Sequence, residues 1–241
     1  MSRLRTAGAL VALALLVTLA GGCRSGGPWD TGRPAERGGP HTVVAGRGDL
    51  RSATFMLVDG ADVVRVHTAE LGDDLYRIST PEGAKVRPAV SVSDGSVMAG
   101  LAAADGTGPA LVEVALNHDV RWRVRLGGGA REMVLDLRSG RVEEVELTAG
   151  ASRAEVTLPP ADGTVRLSMT GGASQLLVHL ADDAPVRVSA TGGASRVSVD
   201  GVDRTGVAGG TVFTPAGWAN ATDRYDVNAV AGVADLTVGR V

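Results

Sequence analysis

From about residue 60 onward, apolar and polar positions alternate in short runs that restart after a recurring glycine. Four, six and mostly eight positions after that glycine stand Val112, Val114 and Leu116; Met133, Leu135 and Leu137; Ala154, Val156 and Leu158; and Leu176, Val178 and Leu180. Glu113, Asp136, Thr157 and His179 lie between them. Alternation with period two is the signature of a half-buried strand. A second alternating run closes each unit, as in Val120, Trp122, Val124 and Leu126, or Val165, Leu167 and Met169, or Val186, Val188 and Ala190. Turn formers separate the two runs, among them Ser139-Gly140 and the stretches 117–119, 159–163 and 182–185, and such residues tolerate the backbone angles of a corner. Each unit therefore reads as strand, corner, strand, glycine corner.

The glycine corner is nearly the same word each time: Thr-Gly-Gly-Ala-Ser at 170–174 and 191–195, and Thr-Ala-Gly-Ala-Ser at 148–152. Anchors at Gly108, Gly129, Gly150, Gly172 and Gly193 are spaced by 21, 21, 22 and 21 residues. A fixed period of this length marks a stacked array, in which each unit buries its apolar face only against its neighbours. Residues 49–107 carry a looser version. Gly60-Ala61 is followed by Val64 and Val66, and Gly83-Ala84 by Val90 and Val92, with steps of 23 and 25. The run from Leu50 to Asp59 is expected as the first, capping strand. After Val199 the rhythm breaks, then resumes with Tyr225, Val227 and Ala229 before Gly232, and Leu236 and Val238 after it.

The step from Gly193 to Gly232 is 39 residues, so an insertion of about 18 residues lies within 201–223. It carries Phe213, Pro215 and Trp218. One reading makes it a binding corner, with Phe213 and Trp218 as candidate partner contacts; the other makes it a side hairpin that covers an exposed patch of the array. The expected fold is all-β: a right-handed β-solenoid of about eight rungs and ~21 residues per rung, roughly 40 Å long at ~4.8 Å per rung. The chain ends just after its last strand, which predicts an open C-terminal edge for a partner or a second copy.

Composition sharpens the picture. The 241 residues are 44% apolar but only 3% aromatic, so the core is built from Val, Leu and Ala. Net charge is −3, and −5 once Arg3 and Arg5 leave with the leader described next. A mildly acidic body lacks the clustered basic face of a nucleic-acid binder.

Residues 1–22 read as an export signal, with Arg3 and Arg5 before an apolar run from Ala7 to Ala20 that is too short for a settled membrane span. The run ends Leu19-Ala20-Gly21-Gly22-Cys23, which resembles the lipobox of bacterial lipoproteins; Ala20 replaces the usual leucine three positions before the cysteine. The resemblance implies cleavage before Cys23 and diacylglyceryl attachment to its thiol. Cys23 is the only cysteine, so the fold needs no intrachain disulfide. Residues 23–48, rich in Gly and Pro, read as a flexible tether spanning on the order of 25–30 Å, and 49–241 as the solenoid domain. Lipobox, alternating strands and repeated Gly-Gly-Ala-Ser corners together resemble the bacterial putative-adhesin β-solenoid family, whose members are toast-rack-like. That group is similar to the solenoid domains of envelope stress-response proteins. The resemblance implies no site residues.

Candidate chemistry is thin. His41, His67, His118 and His179 show no ligand spacing for a transition metal, and the acidic corners lack a calcium-binding nonapeptide. Glu143, Glu144, Glu146 and Glu155 are the carboxylates nearest to a glycan-cleaving set, but Arg141, Arg153 and Arg166 interleave with them, and acid–base work needs two carboxylates in distinct environments. No cofactor, metal or catalytic residue is expected. The leading expectation is a lipid-anchored protein of the extracytoplasmic membrane face, a non-enzymatic scaffold or adhesin-like module with a protein or cell-wall partner. A sensor subunit for a membrane partner is the alternative, and a polysaccharide-acting enzyme stands third.

Overall fold

The structure, a computed structural model, describes residues 37–241. The leader 1–22, the lipidation site Cys23 and the tether as far as residue 36 lie outside the described residues. Nineteen strands follow in chain order. The first seven are β1 (Thr42–Gly46), β2 (Ser52–Leu57), β3 (Ala61–Ala69), β4 (Asp74–Ser79), β5 (Val86–Ser93), β6 (Ser96–Ala103) and β7 (Leu111–Asn117). The regular part runs through β8 (Arg121–Leu126), β9 (Ala130–Asp136), β10 (Arg141–Leu147), β11 (Ala151–Leu158), β12 (Thr164–Met169) and β13 (Ala173–Leu180). The last six are β14 (Val186–Ala190), β15 (Ala194–Val199), β16 (Val202–Val207), β17 (Thr211–Phe213), β18 (Arg224–Ala229) and β19 (Val233–Arg240).

Two sheets face each other. Sheet A has ten strands in the order β1-β4-β7-β3-β9-β11-β13-β19-β15-β16, and sheet B has nine in the order β17-β14-β18-β12-β10-β8-β2-β6-β5. The chain is a β-solenoid. Seven two-strand rungs stack in parallel, each with a strand in either sheet, one fewer than the repeat count suggested. Alternation points the same rows inward in every rung. Val66, Val114, Leu135, Val156, Val178 and Val238 share one buried row of sheet A, and Phe55, Val97, Val124, Val145, Leu167 and Val227 one of sheet B. Each such side chain contributes about 1.5–3 kcal/mol by leaving water.

The stacking order differs from the chain order at both ends. The pair β2–β3 sits between β6–β7 and β8–β9, and the pair β18–β19 between β12–β13 and β14–β15. Two expectations are corrected by this. The run 50–59 is not a cap, because β2 is hydrogen-bonded to β6 on one side and β8 on the other. The C-terminal strand leaves no open edge either, because β19 pairs in parallel with both β13 and β15.

Antiparallel strands close the stack instead. β4 and β1 extend sheet A beyond β7, and β5 extends sheet B beyond β6. β1 thus recruits Thr42–Gly46, which the sequence pattern had assigned to the tether. Buried Asn117 fixes this cap: its side-chain amide donates to the carbonyls of Gly72 (2.9 Å) and Asp74 (2.6 Å), while its backbone carbonyl accepts from the Trp122 indole (2.9 Å). At the far end β16 extends sheet A antiparallel to β15, and β17 extends sheet B antiparallel to β14.

The corner glycines do form a column. Ala61, Ala130 and Ala151 donate their N–H groups to the carbonyls of Gly129, Gly150 and Gly172 at 3.1–3.2 Å, and Val233 donates to Gly193 at 3.3 Å. A Cβ on Gly172 would stand 3.3 Å from the Gly232 carbonyl oxygen, which places Gly232 next in the column. Gly60, at the other end, stacks on Gly129. Gly108 departs from the column: its N–H donates to Gly83 (2.8 Å) and its carbonyl accepts from Lys85 (3.1 Å), so it ties the end rung to the chain before β5.

Candidate interaction surfaces

The insertion found in the sequence becomes the terminal cap, and a cleft opens beside it. β16 leaves β15 through Asp200 and Gly201 and returns through β17, after which residues 214–223 lead back to β18. Between the ends of the two sheets lies a cleft of about 620 Å³. Val186, Val199, Val212 and Phe213 give it an apolar lining, with Asp183 and Arg240 among its polar residues. Phe213 is half-buried and packs against the core. Trp218 is placed differently from a partner contact. It is only 9% exposed, its indole N–H donates to the Tyr225 carbonyl (2.8 Å), and the guanidinium carbons of Arg187 and Arg224 stand 3.9 and 4.7 Å from the ring centre. Two cations on one ring, with the indole N–H bonded, commit Trp218 to the fold. This is the covering role, and it removes Trp218 from the candidate partner contacts.

Polar groups behind the cleft hold three corners together. Arg240, at the end of β19, donates to the carbonyls of Asp182 (2.5 Å) and Ala184 (2.8 Å) and pairs with Asp200 (3.2 Å). The Asp182 carboxylate accepts from the N–H groups of Ala161 (2.8 Å) and Ala184 (3.0 Å). The buried Tyr225 hydroxyl lies 2.8 Å from both the Pro159 carbonyl and Asp182. Burial, and then the hydrogen bond to Asp182, push the Tyr225 phenol above its ordinary range. The sign follows directly. A raised pKa means that the folded state favours the neutral phenol, so this contribution is complete below the unfolded tyrosine value of about 10 and is lost as pH rises above it. Thermal melts of the parent are expected to fall more steeply above pH 10 than those of Tyr225→Phe, which at neutral pH is less stable by about 1–2 kcal/mol. Parallel alkaline curves for the two chains would refute the assignment.

A shallower groove of about 400 Å³ crosses the outer face of sheet A where β4 meets β7. His67, Glu70, Arg77, Ser79 and Glu113 line it above the small Ala115. The outer face of sheet B is a charged ladder. Arg123 pairs with Glu143 (2.6 Å), Arg125 with Glu146, and Arg121 and Arg141 both with Asp162. The Arg123 guanidinium holds the Glu143 carboxyl below the usual carboxylate range, and Arg121 does the same for Asp162. On sheet A, Glu155 lies between Arg153 (2.8 Å) and His179 (3.4 Å). Three of the four glutamates that could have formed a glycan-cleaving set are thus engaged by arginine, and Glu144 faces Arg123 and Arg166 across its two ladders. The histidines go to separate places: His41 bonds Thr80 (2.8 Å), His118 meets Asp119 (3.4 Å), and His67 lies in the groove. Among the described residues no group of three or more His, Cys, Asp or Glu is arranged to hold a metal ion.

No protein-family model matches the sequence, and no curated protein matches it. Solved structures do. A putative adhesin from Bacteroides fragilis aligns at 8% identity over 84% of this chain and 98% of its own, with a TM-score of 0.29. A putative cell adhesion protein from Clostridium sporogenes aligns at 15% identity over 87% of this chain and all of its own, with a TM-score of 0.59. At that identity the second likeness establishes the fold: a parallel β-solenoid shared along nearly the whole chain.

Proposed function

We propose that the protein is a lipid-anchored, non-enzymatic interaction module of the cell envelope, adhesin-like in its use of a stiff β-stack to present surfaces. One observation carries the reading. What the fold offers to solvent is two parallel-stranded faces, a shallow groove and an end cleft, while Glu143, Glu146 and Glu155 on those faces are held by arginines. General acid–base chemistry requires carboxylates whose proton affinities are pushed apart, whereas Glu143 and Asp162 are both pushed down. The fold shared with a putative cell adhesion protein supports the same reading, and the lipobox-like segment ending at Cys23 supports attachment at the membrane.

Photocrosslinking in intact cells tests it, with the reactive group placed at Arg77 in the groove and at Val212 beside the cleft. Adducts with wall or surface molecules are expected, together with retention in the membrane fraction that Cys23→Ala abolishes. A single dominant membrane-protein adduct would replace adhesion with sensing, and turnover of any glycan in a broad panel would overturn the non-enzymatic reading.

A further inference from the structure

The four sheet edges are not equivalent. The outer edge of β1 is covered by the chain itself, because Arg37 and Val44 exchange both backbone hydrogen bonds at 2.7 Å. β5 carries Pro88 in mid-strand, and proline confines a strand to an edge that cannot grow. β17 is only three residues long and is followed by Pro215. β16 has none of these protections. It is six residues long and exposed from Val202 through Gly206, with Val202 at 57% exposure.

The backbone phase of that edge can be read from its turn. Asp200 (φ 46°) and Gly201 (φ 79°) form a two-residue corner with both residues left-handed, the type I′ geometry of tight hairpins. The flanking residues Val199 and Val202 then form a hydrogen-bonded pair, and the pattern alternates from there; Gly206 is itself left-handed (φ 62°), but the register holds across it, with Thr205 opposite Arg196 and Val207 opposite Ala194. Val202 and Arg204 turn their backbone groups toward β15. Asp203, Thr205 and Val207 turn theirs outward, to the free edge.

We propose that β16 pairs antiparallel with β16 of a second copy about a two-fold axis at Thr205, joining the two A sheets edge to edge. Three features select this occupant and this register. Asp203, Thr205 and Val207 are symmetric about Thr205, so every outward backbone group finds a partner: Thr205 with its counterpart, and Asp203 with Val207 of the other copy. No like charges face each other, because Arg204 lies opposite Gly206 and Asp203 opposite Val207. Centring the axis on Asp203 would set two aspartates face to face, which is unfavourable. A two-fold contact also closes on itself and stops at a dimer. The inference rests on edge geometry and not on the adhesin reading, so either can fail alone.

Sedimentation of the full chain in mild detergent tests it. The parent is expected to dimerise with rising concentration. Thr205→Pro should abolish the dimer, because it removes an outward N–H that serves no bond in the β15–β16 ladder. Thr205→Lys and Thr205→Glu should each abolish it as well, by placing like charges together at the axis, and mixing those two chains should restore it. Melting temperatures close to the parent's would show that the variants are folded, and the Lys and Glu chains carry the test if the Pro chain is not. A parent that stays monomeric, a dimer that survives Thr205→Pro, or a Lys and Glu mixture that stays monomeric would each overturn the proposal.

Discussion

A chain that stops after Val230 is expected to lose its cooperative fold, although it lacks only one strand of nineteen. β19 buries Val233, Leu236 and Val238, and at about 1.5–3 kcal/mol for each buried aliphatic side chain their removal approaches the whole stability of an ordinary domain, about 5–15 kcal/mol. The damage extends past those side chains. β13 and β15 both lose their ladder partner, and the end rung stays joined to the stack through sheet B alone, by β18 on β14. In a solenoid stacked in chain order the same cut would shave off an end rung with a single interface. Circular dichroism melts distinguish the two arrangements. The intercalated order predicts no sharp transition for the truncated chain, and a melt within a few degrees of the parent would contradict it.

The intercalation also shows where sequence reasoning stops. Rung content is legible because strand and corner are local: period-two alternation fixes which face of β9, β11 and β13 turns inward, and Gly129, Gly150 and Gly172 mark the corners. Rung order is not local. Each rung presents rows of Val, Leu and Ala to either neighbour, so Leu236 fits beside Leu176 as well as it would at the end of the stack. One signal was present in the sequence. The residue before each corner glycine is Asp59, Gly128, Ala149, Gly171, Gly192 and Ala231 in chain order, but Asp59, Gly128, Ala149, Gly171, Ala231 and Gly192 in the stack. Placing the last rung between its predecessors restores a strict alternation between a residue with a Cβ and one without.

The end cap was legible in position and not in role. Broken rhythm located the insertion within 201–223, but an aromatic residue in a loop reads the same whether it faces a partner or its own chain. What settles Trp218 is a carbonyl on β18 and two arginines on different strands, which chain order keeps apart. β1 was hidden for a simpler reason. Five residues after a Gly- and Pro-rich stretch are too few to show a period.

The alternation has a steric cause, and it sets the cost of disturbing one corner. A Cβ built on Gly171 would lie 2.2 Å from the carbonyl carbon of Ala149 and 2.6 Å from the nitrogen of Gly150. Gly128 and Gly192 meet the backbones of Asp59 and Ala231 in the same way. Those atoms belong to a neighbouring corner pinned by hydrogen bonds from Thr170 to Leu147 (2.9 Å) and from Ala151 to Gly172 (3.1 Å), so no rotamer change relieves the overlap. Gly150, by contrast, would bring its Cβ no closer than 3.3 Å to the Gly172 carbonyl oxygen, which a small shift accommodates. Gly171→Ala is therefore expected to cost about 3 kcal/mol, a fall in melting temperature of roughly 6–12 °C for a domain of this size, and Gly150→Ala about 1 kcal/mol or less. Paired melts of the two variants decide it. Equal losses would mean that corner spacing is elastic and that the alternating glycines do not set how closely the rungs approach.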